Sequence, residues 1–208
     1  MAMSLEVTLA RIAELHTALA PKPATPKVDA RAFQGTLQTA QAGLAPGMAA
    51  APLAAAQPIA GGTPAGQAIV NLARGEVGQA EQPPGSNDSP RIAQYRQATA
   101  GSDVGPWCAY FTSWAAREAG VPLGDAGQGF GRVDDVYAWA QRAGKAIPAG
   151  SGMPQPGDLI VWDEHIGVVE SVLPDGRIQT IEGNSSDAVT RRTHDATGDG
   201  AVGYVRLG

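Results

Sequence analysis

Cysteine is almost absent from this sequence: Cys108 is the only one among 208 residues. A single thiol excludes an intramolecular disulfide, and it excludes a zinc site built on several cysteines. Because the chain also has only 3 histidines, no cluster of Cys and His ligands is expected. A lone thiol does not indicate a redox compartment.

Charge is sparse as well, and it is slightly acidic. Charged residues make up 17% of the chain, which has a formal net charge of −5. An acidic chain without a cluster of Lys and Arg is a poor candidate for a nucleic-acid-binding protein. The uncharged, largely apolar segment 43–62 contains Pro46, Pro52 and Pro58. Because prolines break a spanning helix, no membrane span is expected.

The first 20 residues lack the pattern of a secretory signal. Such a signal needs a basic start followed by an uninterrupted apolar stretch. Here Glu6, Arg11 and Glu14 interrupt the stretch. No Sec-type signal is therefore expected, and action outside the cell would require another export route; otherwise the protein is cytoplasmic.

A short amphipathic helix is predicted over residues 5–19, within an N-terminal segment 1–39. Its apolar positions recur at spacings of three and four, at Leu5, Leu9, Ile12 and Leu19. A helix this short is marginally stable alone, so the apolar stripe is expected to dock. Two alternatives remain: a local hairpin with residues 29–41, or a helix for targeting or for docking on a partner.

A flexible linker is predicted over residues 40–65, and a second domain over 66–208. No charged residue occurs between Arg31 and Arg74. Ala, Gly, Pro and Gln dominate this stretch. A segment of this composition has few large apolar groups whose burial could offset the entropy lost on ordering it.

The second domain is predicted to be α+β, with helices first and an antiparallel sheet of about five strands after them. Gly120 and Gly144 are expected to end two of the helices in the left-handed conformation. The predicted helices are 67–77, 90–98, 107–119 and 133–143; the predicted strands are 158–162, 166–172, 177–183, 188–192 and 203–207.

Cys108 is a candidate nucleophile because of its position. In the segment PWCAYFTSW, Gly105 and Pro106 precede the helix, so the thiol lies in its first turn. Free N–H groups there favour a thiolate and can stabilise an oxyanion. The alternative is a small apolar residue packed in the core, which is the usual place of a free cysteine.

His165 and Glu182 are candidate partners for this thiol. In GDLIVWDEHIGVV, His165 starts a strand directly after a turn, where it can supply a base to a cysteine on a neighbouring helix. A hairpin centred on 174–175 places Glu182 roughly opposite Gly167, one pair from His165, so the carboxylate can orient the imidazole.

Asn184, two residues after Glu182, is expected to face the same side by strand alternation. The non-functional alternatives are an exposed hairpin histidine for His165 and a solvated strand end for Glu182. The other histidines fit less well: His16 lies in the N-terminal helix, and His194 is assigned to a loop before the last strand.

Together, PWCAYFTSW, PGDLIVW…HIGVV, IQTIEGN and the terminal GYVRL resemble a CHAP domain, the cysteine, histidine-dependent amidohydrolase/peptidase family. The resemblance implies a papain-like α+β fold, with Cys108 as nucleophile, His165 as general base, Glu182 as orienting residue and Asn184 as the polar residue that follows. It implies no metal and no cofactor.

The resemblance also implies peptidoglycan as the substrate, cut at the N-acetylmuramoyl-L-alanine amide or at a peptide bond. Trp107, next to the nucleophile, is a candidate for lining the substrate groove, with core packing as the alternative. The rival function is a non-catalytic cell-wall-binding or scaffold module that retains the fold. Export through a flagellar-type apparatus or a phage holin would bring a chain without a Sec signal to the wall.

Overall fold

A computed structural model describes residues 61–195 and 197–208. The predicted helix at 5–19, its hairpin alternative with 29–41 and nearly all of the predicted linker lie outside the described residues. The described residues form an α+β domain, as predicted, with four helices preceding an antiparallel sheet. Within this part of the chain, every helix is too short or too polar to cross a membrane.

All four predicted helices are present within a few residues of their predicted bounds. They are α1 (Pro64–Glu76), α2 (Pro90–Arg96), α3 (Cys108–Glu118) and α4 (Val133–Arg142). The largest difference is at the start of α1, which lies inside the segment predicted as linker. Thr63 caps this helix by accepting a hydrogen bond from the N–H of Gly66, and Pro64 occupies the first turn. A threonine at the N-cap and a proline in the first turn are both favoured at a helix start. The uncharged composition of this stretch favoured a linker instead.

The sheet has six strands rather than about five. They are β1 (Ala146–Pro148), β2 (Leu159–Val161), β3 (Ile166–Val172), β4 (Ile178–Ser185), β5 (Ala188–His194) and β6 (Gly203–Val205), in the spatial order β1-β6-β2-β3-β4-β5. The unpredicted strand is β1, an edge strand that pairs with β6. Three residues ending in a proline are too few to show an alternation, so its existence depends on its partner.

Three of the helices pack against the sheet, and the first turn of α3 lies near two strands. Helices α1 and α3 contact β3, and α3 also contacts β4. Nine residues of α3 are buried, from Cys108 to Ala116. Phe111 and Trp114 share a core cluster with Ile166 and Val168 of β3. A smaller apolar cluster includes Ile160, Val169 and Tyr204.

Gly183 of β4 allows α3 to lie close to the sheet. A Cβ atom at this position would come 2.7 Å from Cβ of Phe111 and 2.9 Å from Cζ3 of Trp107. We expect Gly183→Ala to lower the free energy of unfolding by about 1–3 kcal/mol, the usual cost of overpacking a core. Chemical denaturation measures the change.

Gly75→Ala is the matched control, because Gly75 is exposed in α1 and a Cβ there meets nothing within 4 Å. This control should gain about 0.5–1 kcal/mol from the higher helix propensity of Ala. Equal stabilities of Gly183→Ala and the wild type would show that the contact between α3 and β4 is looser than described.

Candidate active site

Cys108 is the first residue of α3 and borders a cleft. The residue is 5% exposed. Trp107, at the N-cap position, provides no side-chain hydrogen bond to the first turn, so the amides there remain available to a ligand. The cleft has a volume of about 490 Å³ and is lined by Pro106, Cys108, Tyr110, Gly131, Arg132, Val133, Asp134, Asp163 and Glu164.

His165 lies beside this thiol, in the turn that joins β2 to β3. The N–H of Trp162 donates to the carbonyl of His165 over 2.8 Å and closes the turn. The side chain of Cys108 is close enough to the imidazole to raise its pKa. Nε2 of His165 lies 2.9 Å from Oε2 of Glu182. The structure therefore brings Cys108, His165 and Glu182, which are far apart in sequence, into one chain of interacting side chains.

Glu182 is the buried end of this chain. It is 3% exposed, and its carboxylate accepts hydrogen bonds at both oxygens. Oε2 faces His165, whereas Oε1 accepts from Oγ1 of Thr180 over 2.6 Å and lies 2.7 Å from Nε2 of His194. A buried carboxylate needs such partners, since an unpaired charge in the interior is costly.

These contacts shift the pKa values of the two central groups in opposite directions. Burial favours the neutral imidazole, but the hydrogen bonds with Cys108 and Glu182 outweigh it and raise the pKa of His165 to about 9. Burial also disfavours the Glu182 carboxylate, but hydrogen bonds from His165, Thr180 and His194 lower its pKa to about 2. The geometry thus favours an imidazolium beside a carboxylate at neutral pH.

The position of Glu182 depends on the register of β3 and β4 and on a glycine. Val168 pairs with Ile181, so the next pair places Gly167 opposite Glu182, as predicted. A Cβ at residue 167 would come 2.7 Å from Cγ of Glu182. Gly167 therefore leaves the space that the carboxylate occupies, a role that the sequence did not reveal.

Asn184 does not follow the expected alternation. The pairing of β4 with β5 shifts between Glu182 and Ser185, and Asn184 has a φ of 56°. Its Nδ2 donates to Oδ1 of Asn87 over 3.4 Å. This contact joins the end of β4 to the loop before α2.

Trp107 has the core-packing role, not the groove-lining one. Its side chain is fully buried, and its ring stacks against Tyr95 at a centroid distance of 6.0 Å. The indole Nε1 donates to Oε1 of Glu81 over 2.9 Å. Because the ring is fully buried and its polar nitrogen is already hydrogen-bonded, it cannot contact a substrate in the cleft.

His194 is the functional-site residue that the sequence assignment misplaced. The sequence predicts a loop at this position, but β5 continues to His194, which pairs with Ile178. Its ring lies between Glu182 and Asp199. Residues 190–194 (TRRTH) are polar and give no apolar alternation, so the extension of the strand was not visible. Thr180 is a second residue that the sequence analysis does not name, although it lies two residues before Glu182 in β4 and strand alternation places both side chains on one face.

The described residues thus form an α+β domain in which a cysteine at a helix start, a histidine in a turn and a carboxylate on a strand lie together beside one cleft. A thiol next to an imidazole that a carboxylate holds is an arrangement that suits nucleophilic catalysis by sulfur. Residues 99–184 match the family model of the CHAP domain, and the chain contains a CHAP domain. The matched range includes Cys108, His165, Glu182 and Asn184. The comparisons with curated proteins and with solved structures gave no match. The family supports an enzyme of the amidase and peptidase type that acts on peptidoglycan.

The raised pKa of His165 leads to a prediction on stability. The ordinary value is 6.5 and the folded value about 9, so folding stabilises the protonated ring. This contribution is complete below pH 6.5 and is lost as the pH rises through 9. The contribution of Glu182 has the opposite sign: it is complete above pH 4.5 and is lost as the pH falls towards 2.

We therefore expect the melting temperature of the wild type to exceed that of His165→Gln most clearly near pH 6, and the difference to shrink between pH 7 and 10. Thermal unfolding followed by circular dichroism across this range measures it. The other two histidines are common to both proteins and cancel in the comparison. A difference that stays constant up to pH 10 would contradict the raised pKa.

Proposed function

We propose that this protein is a peptidoglycan hydrolase that cleaves an amide bond with Cys108 as its nucleophile. The observation that carries the proposal is the placement of the thiol at the start of α3 beside His165, whose Nε2 lies 2.9 Å from Oε2 of the buried Glu182. The CHAP match over residues 99–184 supports the substrate class. A papain-like fold is inferred on the same grounds, since the nucleophile begins a helix and the base lies on the adjoining sheet.

In the proposed reaction, Glu182 orients His165, and transfer of the thiol proton to the imidazole forms the imidazolium that the carboxylate stabilises, beside a thiolate. The sulfur attacks the carbonyl carbon of the scissile amide, and first-turn N–H groups of α3 stabilise the oxyanion. The carbon–nitrogen bond breaks as His165 returns the proton to the leaving amine. Water then hydrolyses the thioester, with His165 again accepting a proton, and the thiol is restored.

The proposal assigns this chemistry to residues 66–208 and places the action at the bacterial cell wall. Asn184 is included as the residue that fixes the loop containing Asn87 beside the site. Residues 1–39 and the linker at 40–65 are assigned to delivery or docking. A flagellar-type export apparatus or a phage holin would serve as the route to the wall.

Product analysis from purified sacculi tests the proposal and identifies the bond. A new free amino group on L-alanine would identify an N-acetylmuramoyl-L-alanine amidase. New amino termini elsewhere in the stem or cross-bridge would identify an endopeptidase. Mass spectrometry of the released fragments distinguishes the two, and sacculi that release no fragments under any condition would overturn the proposal.

A further inference from the structure

The second oxygen of Glu182 has a partner that the proposed mechanism does not use. Oε2 serves His165, whereas Oε1 lies 2.7 Å from Nε2 of His194. On its other side, Nδ1 of His194 lies 2.8 Å from Oδ2 of Asp199, in the turn before β6. A histidine at the end of β5 thus connects the buried carboxylate to an exposed one.

Both nitrogens of the His194 ring face carboxylate oxygens. An ionised carboxylate can only accept a hydrogen bond, so the ring satisfies both contacts when each nitrogen carries a proton. A charge-assisted hydrogen bond of this kind is roughly twice as strong as a neutral one. No group of His, Cys, Asp and Glu side chains in the described part of the chain is arranged to hold a metal ion. His194 therefore bridges two carboxylates through its two ring nitrogens.

One indole ring contacts both histidines. The centroid of Trp162 lies 5.6 Å from that of His165 and 4.8 Å from that of His194. Its Nε1 donates to the carbonyl of Gly198 over 2.7 Å, next to Asp199. The two imidazoles and the turn that carries Asp199 are thereby held in fixed relation to Glu182.

We propose that His194 is a positioning residue for the triad of Cys108, His165 and Glu182. Together with Thr180 it holds Oε1, which fixes the plane of the carboxylate and leaves Oε2 directed at His165. Without His194, Oε1 keeps one donor, and the carboxylate can rotate away from the geometry that orients the imidazole. This inference rests on the proposed function, because it assigns His194 a role in that same reaction.

Three variants test the role, with steady-state hydrolysis of solubilised peptidoglycan as the assay. His194→Ala removes the donor, and we expect kcat to fall about tenfold, the loss of one hydrogen bond to a charged group, with KM within about twofold. His194→Gln places an amide N–H near the former Nε2, and it should restore kcat to within about threefold of wild type. Arg192→Gln is the matched control: it removes one positive charge from an exposed position of β5 and should leave kcat unchanged.

A second readout does not depend on turnover. The rate at which iodoacetamide alkylates Cys108 at pH 7 reports the thiolate held by His165. We expect this rate to fall several-fold in His194→Ala and to remain near wild type in His194→Gln and Arg192→Gln. If the wild type turns over no peptidoglycan while these alkylation rates differ as expected, the proposed function fails and the positioning role stands.

Two results would overturn the inference. One is a folded His194→Ala protein, by circular dichroism, whose kcat and alkylation rate equal those of wild type. The other is a His194→Gln protein as impaired as His194→Ala, which would show that a hydrogen-bond donor at this position is not what matters. A fall in melting temperature with unchanged kcat would count as the first of these, since it would leave His194 a purely structural residue.

Discussion

Cys108→Ala is expected to lose hydrolysis of purified sacculi by at least about 10³-fold while remaining folded. The variant removes the sulfur that forms the thioester, and the remaining groups bind and polarise the substrate without an attacking atom. The change removes a single atom from a residue that is 5% exposed, so the core around α3 keeps its packing. Release of soluble fragments from dye-labelled sacculi measures the activity, and circular dichroism confirms the fold.

Cys108→Ser is the closest matched variant, because it keeps the size and polarity of the side chain but not its nucleophilicity. It should be inactive as well, which would separate chemistry from packing. Hydrolysis by Cys108→Ala at the wild-type rate would exclude the thiol as nucleophile.

The rival, a non-catalytic wall-binding module, predicts a different set of results. It predicts that the wild type sediments with sacculi but releases nothing, and that iodoacetamide reacts with Cys108 no faster than with a small thiol at the same pH. The placement of Cys108 beside His165 and the hydrogen bond between His165 and Glu182 favour the enzyme, since a binding module has no need of a buried carboxylate behind a histidine.

Glu182→Gln is expected to lower kcat by about 10²- to 10³-fold with a modest change in KM. The carboxylate accepts hydrogen bonds at Oε1 and Oε2 from His165, Thr180 and His194, whereas the amide has one accepting oxygen. The charge that opposes the imidazolium is also lost, so the pKa of His165 falls from its value of about 9. Steady-state kinetics and NMR titration of the imidazole measure the two effects.

Glu170→Gln is the matched control for this variant. Glu170 and Glu182 are equally buried, at 3% exposure, and Glu170 accepts hydrogen bonds from Arg74 and Arg191 away from the cleft. Glu170→Gln should lower the melting temperature, because two guanidinium groups lose their anion, and leave kcat within about twofold. A similar fall in kcat for both variants would mean that Glu182 acts only through stability.

The predicted register of the hairpin of β3 and β4 is correct at Glu182 but not near the turn. The predicted turn centre, between residues 174 and 175, pairs Glu182 with Gly167. Near the turn, the observed pairs Val172–Ile178 and Ser171–Gln179 are centred on residue 175 instead. The irregularity between Val169 and Ser171 then shifts the register back by one, and Glu182 faces Gly167 after all. The displaced turn centre and the irregularity in β3 thus cancel, and both are visible only in the paired strands.

The errors at Trp107, His194 and β1 have one physical origin. Whether an indole beside a nucleophile faces a cleft or the core depends on what lies beneath it, here Tyr95 and Glu81. Whether a polar segment such as TRRTH continues a strand depends on a partner strand. These are long-range contacts, and a local pattern carries no information about them.

The amino-acid sequence by itself determined the order of helices before strands, the glycines at the ends of α3 and α4, and the candidates Cys108, His165 and Glu182. These follow from local rules: Gly120 and Gly144 adopt the left-handed conformation with φ of 79° and 67°. Only the tertiary structure decided what surrounds the carboxylate. It placed His194 and Thr180 on Oε1 of Glu182, and the missing side chain of Gly167 gave that carboxylate its space. Thr180 shares β4 with Glu182, but Gly167 and His194 come from the strands on either side, and strand pairing brings these two to the carboxylate.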